Sequence, residues 1–110
     1  MIKSKKLRYV MFYKRHIFFC CNQRADGTGC GTLGAEDAFA FAKMYLQSLD
    51  LWGEGKYRAS KSGCLGRCTE GPVCAVYPEG VWYTYIDESD IRQIIDEYVL
   101  NDKIVKHLQL

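Results

Sequence analysis

A chain of 110 residues with 48% hydrophobic and 14% aromatic content is long enough for one domain and apolar enough to build a core without staples, which excludes intrinsic disorder. No stretch approaches the roughly 20 consecutive apolar residues of a membrane span, and Lys3 to Arg15 interleaves basic residues with short apolar runs instead of forming a signal-peptide core; we therefore expect a cytoplasmic protein. The net charge of +2 is unevenly spread, because residues 1–15 carry six Lys or Arg and no acid, leaving nine basic against thirteen acidic residues, or −4, in 16–110.

That asymmetry separates a basic N-terminal arm, 1–15, from an acidic domain, 16–110. The arm reads either as a solvated tail or as a docking arm for an acidic or nucleic-acid partner. No recognised nucleic-acid motif accompanies it.

"HIFFC" (16–20) is a nearly continuous apolar run of the kind a buried strand shows, and it delivers the chain into a glycine-rich loop, 25–34. From Gly34 onward the spacing predicts a helix that places Ala38, Phe41, Ala42, Tyr45 and Leu49 on one face, with Glu36 and Asp37 at the positive end of its dipole. "KYRAS" (56–60) reads as a second strand leading into a second glycine-rich loop, "KSGCLGRCTEG". "VCAVY" and "VWYTY" flank Pro78-Glu79-Gly80 and read as a hairpin. "DESDIRQIIDEYVL" predicts a last helix capped by Asp87 or Ser89, with Ile91, Ile94, Ile95, Tyr98 and Val99 spaced to bury one side. "KIVKHLQL" is too short to classify.

The order strand, helix, strand, hairpin, helix describes a small α/β domain: a βαβ unit followed by a β-hairpin and a C-terminal helix, the order of thioredoxin-like folds. Trp82, Tyr83 and Tyr85 stand on alternating positions of a strand, so they do not all face one way. Core packing is the expectation for the inward ones, and an exposed Trp82 would suit a dimer or donor surface. "YVMFY" (9–13) is equally open to packing or partner contact.

Gly29-Cys30-Gly31-Thr32-Leu33-Gly34 matches the G-x-G-x-x-G dinucleotide fingerprint. A pyrophosphate loop needs its strand to end just before the first glycine, whereas the predicted strand ends near Cys20. The six cysteines are more informative, since a reducing compartment argues against disulfides and a chain with its own core has no need of them. Four follow the pattern Cys20-x9-Cys30, then 33 residues, then Cys64-x3-Cys68, so that two loops each supply a pair of thiols. Gly27, Gly29, Gly31, Gly63 and Gly66 give those loops the backbone freedom that converging thiolates need.

Structural zinc favours two to four residues between paired cysteines, which the second pair satisfies and the first does not. A Rieske centre needs two histidines, and His16 and His107 lie outside the cysteine loops. The cysteine runs of plant-type and bacterial 4Fe-4S ferredoxins are absent. A two-iron cluster with two cysteines from each loop remains, beside a zinc site as the alternative.

"HIFFCCNQRADG", followed by Cys30, and "GCLGRCTEGPVCAVYPEGVWYTY" resemble the opening strand, ligand loops and hairpin of the thioredoxin-like 2Fe-2S ferredoxins, a family related to a small iron-sulfur subunit of respiratory complex I. The similarity covers about residues 16–100 and leaves out the arm. The resemblance implies a one-electron carrier, not an enzyme, often a homodimer, that serves redox partner proteins and ligates a 2Fe-2S cluster through Cys20, Cys30, Cys64 and Cys68. Cys21 and Cys74 then read as structural thiols, the first because neighbouring strand-end side chains point to opposite faces and the second because it lies within a strand. Arg24 and Arg67, in the two loops, are placed to raise the potential or guide an acidic partner, or are simply solvated. Two other functions compete: a zinc-binding interaction module, and a thiol-disulfide oxidoreductase, which wants a C-x-x-C pair at a helix N-terminus that this chain lacks.

Overall fold

A computed structural model describes residues 12–21, 34–63 and 71–110. Its elements are β1 (Arg15–Cys20), α1 (Ala35–Ser48), β2 (Tyr57–Ser62), β3 (Val73–Tyr77), β4 (Val81–Thr84) and α2 (Glu88–Gln93). The last helix continues as π-helical turns over Ile94–Val99, and Lys106–Leu108 forms a single 3-10 turn. Arg15, grouped with the basic arm on charge, opens β1.

The strands form one sheet in the order β2-β1-β3-β4. β1 and β2 run parallel, as a helical crossover between them requires, while β3 is antiparallel to both β1 and β4. The register gives the sheet two unlike faces. Ile17 lies between Ala59 and Val76, and Phe19 beside Cys74, which in turn faces Tyr83. These residues bury against Ala38, Ala42 and Leu46 of α1 and against Ile91, Ile94, Ile95, Tyr98 and Val99. Both helices therefore pack on this one face. The other face carries His16, Phe18, Tyr77 and Trp82, and no described helix lies on it.

The α1 face differs from the sequence expectation. Ala38 and Ala42 are buried, but Phe41 and Tyr45 are only partly covered, and Leu49 is 42% exposed beyond the end of the helix. Leu46 and Ala35 take the buried places, because the sheet meets the row through 35, 38, 42 and 46. At α2 the cap is Asp87, whose side chain accepts the Asp90 N–H at 3.2 Å. Among the hairpin aromatics, Tyr83 and Tyr85 enter the core and Trp82 takes the opposite face.

The C-terminal segment closes the edge beside β4. Gln109 bridges to Tyr83, and the Leu110 N–H donates to the Trp82 carbonyl at 3.0 Å. Beneath it the fully buried Tyr83 hydroxyl accepts the Val105 N–H at 3.1 Å. Tyr83→Phe strands that buried donor. The expected cost is about 1–3 kcal/mol, read as a lower urea midpoint with an unchanged m-value.

Candidate metal centre

The parallel crossover fixes where the two cysteine loops begin. Cys20 ends β1 and pairs in register with Ser62, which ends β2. The Cys21 N–H donates to the Ser62 carbonyl at 3.0 Å, so the first loop leaves its strand against the origin of the second. Cys64 follows Ser62 by two residues in the sequence.

The loops also return to the same place. Cys20, Ala35 and Val73 form a separate, fully buried cluster at the end of the sheet. Ala35 opens α1 just after the first loop, and Val73 opens β3 just after the second. Cys21, Trp82 and Leu110 pack around them. The stem of the second loop is tied down by Thr84, whose hydroxyl donates to the Pro72 carbonyl at 2.9 Å. All four ends of the two cysteine-bearing segments thus meet around Cys20.

Cys20 is the one predicted ligand that the structure describes. Cys30, Cys64 and Cys68 lie outside the described residues, as do Arg24, Arg67 and the first part of the basic arm. Among the described residues no group of three or more His, Cys, Asp or Glu is arranged to hold a metal ion. His16 stands on the helix-free face, hydrogen-bonded through Nε2 to Ser60 Oγ at 2.8 Å. Of the G-x-G-x-x-G match, residues 29–33 lie outside the described residues, and β1 ends at Cys20.

The other two described cysteines have different surroundings. Cys74 is wholly buried in the core, and burial pushes its thiol far up. Burial first, and then the Glu36 carboxylate, push the Cys21 thiol up to about 11, against a weaker opposing pull from Lys61. Lys61 Nζ lies 3.3 Å from Glu36 Oε1, an exposed pair joining the end of β2 to the first turn of α1. Sequence reasoning did not single out Ser62, Thr84 or this pair. Their roles depend on strand register, which no local signal carries.

The one described donor fits a soft metal centre: Cys20 offers a buried thiol packed by apolar side chains, with two glycine-rich, cysteine-bearing segments starting and ending beside it. No protein-family model matches the chain. Over 98 residues it is 32% identical to a 2Fe-2S ferredoxin of Clostridium pasteurianum, spanning 88% of this chain and 96% of that one. A 2Fe-2S ferredoxin of Aquifex aeolicus is 29% identical over 98 residues, or 86% of each chain. The solved structure of the wild-type thioredoxin-like [2Fe-2S] ferredoxin of Aquifex aeolicus aligns with a TM-score of 0.75 at 26% identity, covering 87% of this chain and 95% of that one. With fold and sequence agreeing over nearly the whole length, the chain belongs to the thioredoxin-like 2Fe-2S ferredoxin family.

Proposed function

We propose that this chain carries single electrons between redox partner proteins on a 2Fe-2S cluster held by the thiolates of Cys20, Cys30, Cys64 and Cys68. The observation that carries the reading is the parallel pairing of Cys20 with Ser62, which starts both cysteine loops at one end of the sheet. Adjacent strands lie about 4.8 Å apart, and two residues add at most about 7 Å, so Cys64 stays within reach of Cys20. Cys30 and Cys68 follow within their own loops, which favours Cys20 with Cys30 on one iron and Cys64 with Cys68 on the other.

When bound, the cluster takes up and gives back one electron, and the protein turns over no substrate. The chain's part is to hold the thiols, keep water from the Cys20 side and make the added negative charge tolerable. Ala35, Val73, Trp82 and Leu110 cover Cys20. Backbone N–H groups of the glycine-rich loops, with Arg24 and Arg67, supply positive charge. Neither Cys21 nor Cys74 has the lowered pKa of a thiol-disulfide nucleophile. Anaerobic protein reduced by dithionite is expected to show the spin-half EPR signal of a reduced 2Fe-2S centre; an EPR-silent protein carrying zinc contradicts the assignment.

The carrier acts in the cytoplasm as a homodimer, with residues 16–110 as the folded domain, to which the end of the basic arm from Phe12 to Arg15 also belongs. No described helix is long and apolar enough to cross a membrane. The helix-free sheet face supports pairing of two copies: His16 stacks on Phe18 with ring centroids 4.0 Å apart, and Phe18 meets Tyr77 edge-on. Burial, and then Arg58, hold His16 below its ordinary pKa of 6.5, so the stack is neutral at pH 7. Tyr77 is 40% exposed and Phe12 59%, leaving aromatic surface for a second copy to cover. Sedimentation equilibrium is expected to give twice the 12.6 kDa chain mass, falling to one chain in Phe18→Asp; a monomeric wild type overturns the dimer.

A further inference from the structure

Ser62 touches the backbone on both sides of the gap between the two cysteine loops. Its hydroxyl lies 3.3 Å from the Phe19 carbonyl and 3.0 Å from the Gly63 carbonyl, in donor geometry toward each. Those carbonyls belong to the peptide groups that lead into Cys20 and Cys64. A peptide group is planar, so fixing its oxygen fixes the N–Cα bond direction of the cysteine that follows. The Ser62 carbonyl meanwhile accepts the Cys21 N–H at 3.0 Å, which fixes the peptide on the far side of Cys20. One residue thus restrains both peptides flanking Cys20 and the peptide entering Cys64.

We infer that Ser62 is a positioning residue for the cluster, orienting the Cys20 thiol through the two peptide groups that flank it. The inference rests on the ligand assignment proposed above. It deepens that assignment by naming what sets the spacing between the two loops. The hydroxyl has a single proton to share between two carbonyls, so each contact is weak alone. Their common consequence is to couple the two loop stems. A residue beyond the ligands that orients them typically affects metal retention by about 10–100-fold when removed, far more than one surface hydrogen bond changes folding. The residues on either side do not substitute for it: Lys61 is turned toward Glu36 and Phe39 on α1, and Gly63 has no side chain.

The test uses the intact, cluster-loaded protein. Ser62→Ala is expected to lose its visible absorption to an iron chelator about tenfold faster than wild type and to shift the g values of the reduced EPR spectrum. Ser62→Thr keeps a hydroxyl and is expected to restore both. A hydroxyl with a merely structural role lowers the thermal midpoint but leaves the g values where they were, and that pattern in Ser62→Ala overturns the inference. If Ser62→Ala assembles no cluster, Ser62→Thr decides the matter: a loaded Thr variant supports the role and an empty one overturns it. Cys20→Ala separates this from the ligand assignment. Retention of the wild-type spectrum in that variant defeats the assignment, whereas its loss alongside an unaltered Ser62→Ala defeats the positioning role alone.

Discussion

Cys20→Ala is expected to abolish the visible absorption of the protein, whereas Cys21→Ala and Cys74→Ala are expected to leave it in place. Cys20 sits at the end of β1 where all four loop ends meet, and no described side chain next to it offers a replacement thiolate except Cys21. Cys21 is a poor substitute, since a thiol pushed up to about 11 resists becoming the thiolate that iron binds. Cys74 is remote by burial: it faces Phe19 and Tyr83 within the core. Its replacement by Ala empties the space of one sulfur and is expected to cost about 1–2 kcal/mol in folding without touching the chromophore. Absorption spectra of the three variants, prepared anaerobically beside wild type, make the comparison. Loss of the visible bands from Cys21→Ala or Cys74→Ala, with retention in Cys20→Ala, would falsify the ligand assignment.

Arg15→Ala is expected to produce the largest loss of stability among surface-reaching residues, about 2–4 kcal/mol. The guanidinium is only 14% exposed and joins three separate parts of the fold. Nε and Nη2 donate to the Glu79 carboxylate at 3.0 and 3.3 Å, and Nη2 also reaches Asp102 Oδ1 at 2.6 Å. Nη1 donates to the Tyr98 and Val99 carbonyls at 3.0 and 3.3 Å at the end of the π-helical turns, where the Tyr98 carbonyl also accepts the Asp102 N–H at 3.0 Å. The group also lies over the Tyr98 ring, 4.6 Å from its centroid. Truncation therefore unties β1 from the hairpin turn and from the last helix together, and takes a donor from two part-buried carbonyls. Urea unfolding of the two proteins measures the difference. Chiefly through its hydrogen bond to Arg15, Glu79 is held below its ordinary 4.5. A depressed carboxyl adds stability that is fully present above the unfolded value and lost as pH falls through the folded one. The gap between wild type and Arg15→Ala is accordingly expected to hold constant above pH 4.5 and to narrow in acid.

The hairpin was readable because its strands are short apolar runs beside Pro72, Pro78 and Gly80, and β3 begins and ends at the residues that "VCAVY" implies. β2 runs on to Ser62, beyond the expected end at Ser60, since pairing with β1 carries a polar stretch that propensity alone would end sooner. On α1 the expected face ran through Phe41, Tyr45 and Leu49, and the sheet beneath instead buries Ala35 and Leu46 with Ala38 and Ala42. The paired cysteine spacing was visible as chemistry in one dimension. What it lacked was the parallel register that sets Cys20 against Ser62 and so starts both cysteine-bearing segments at one end of the sheet. Arg15 and Ser62 were unreadable for the same cause: their partners are distant in sequence, and a lone Arg or Ser carries no periodicity that points to them.

Iron and acid-labile sulfide analysis of anaerobically isolated wild-type protein tests the central claim most directly. The proposed ligation by four thiolates predicts two irons and two sulfides per chain. A single zinc per chain with no sulfide would contradict it.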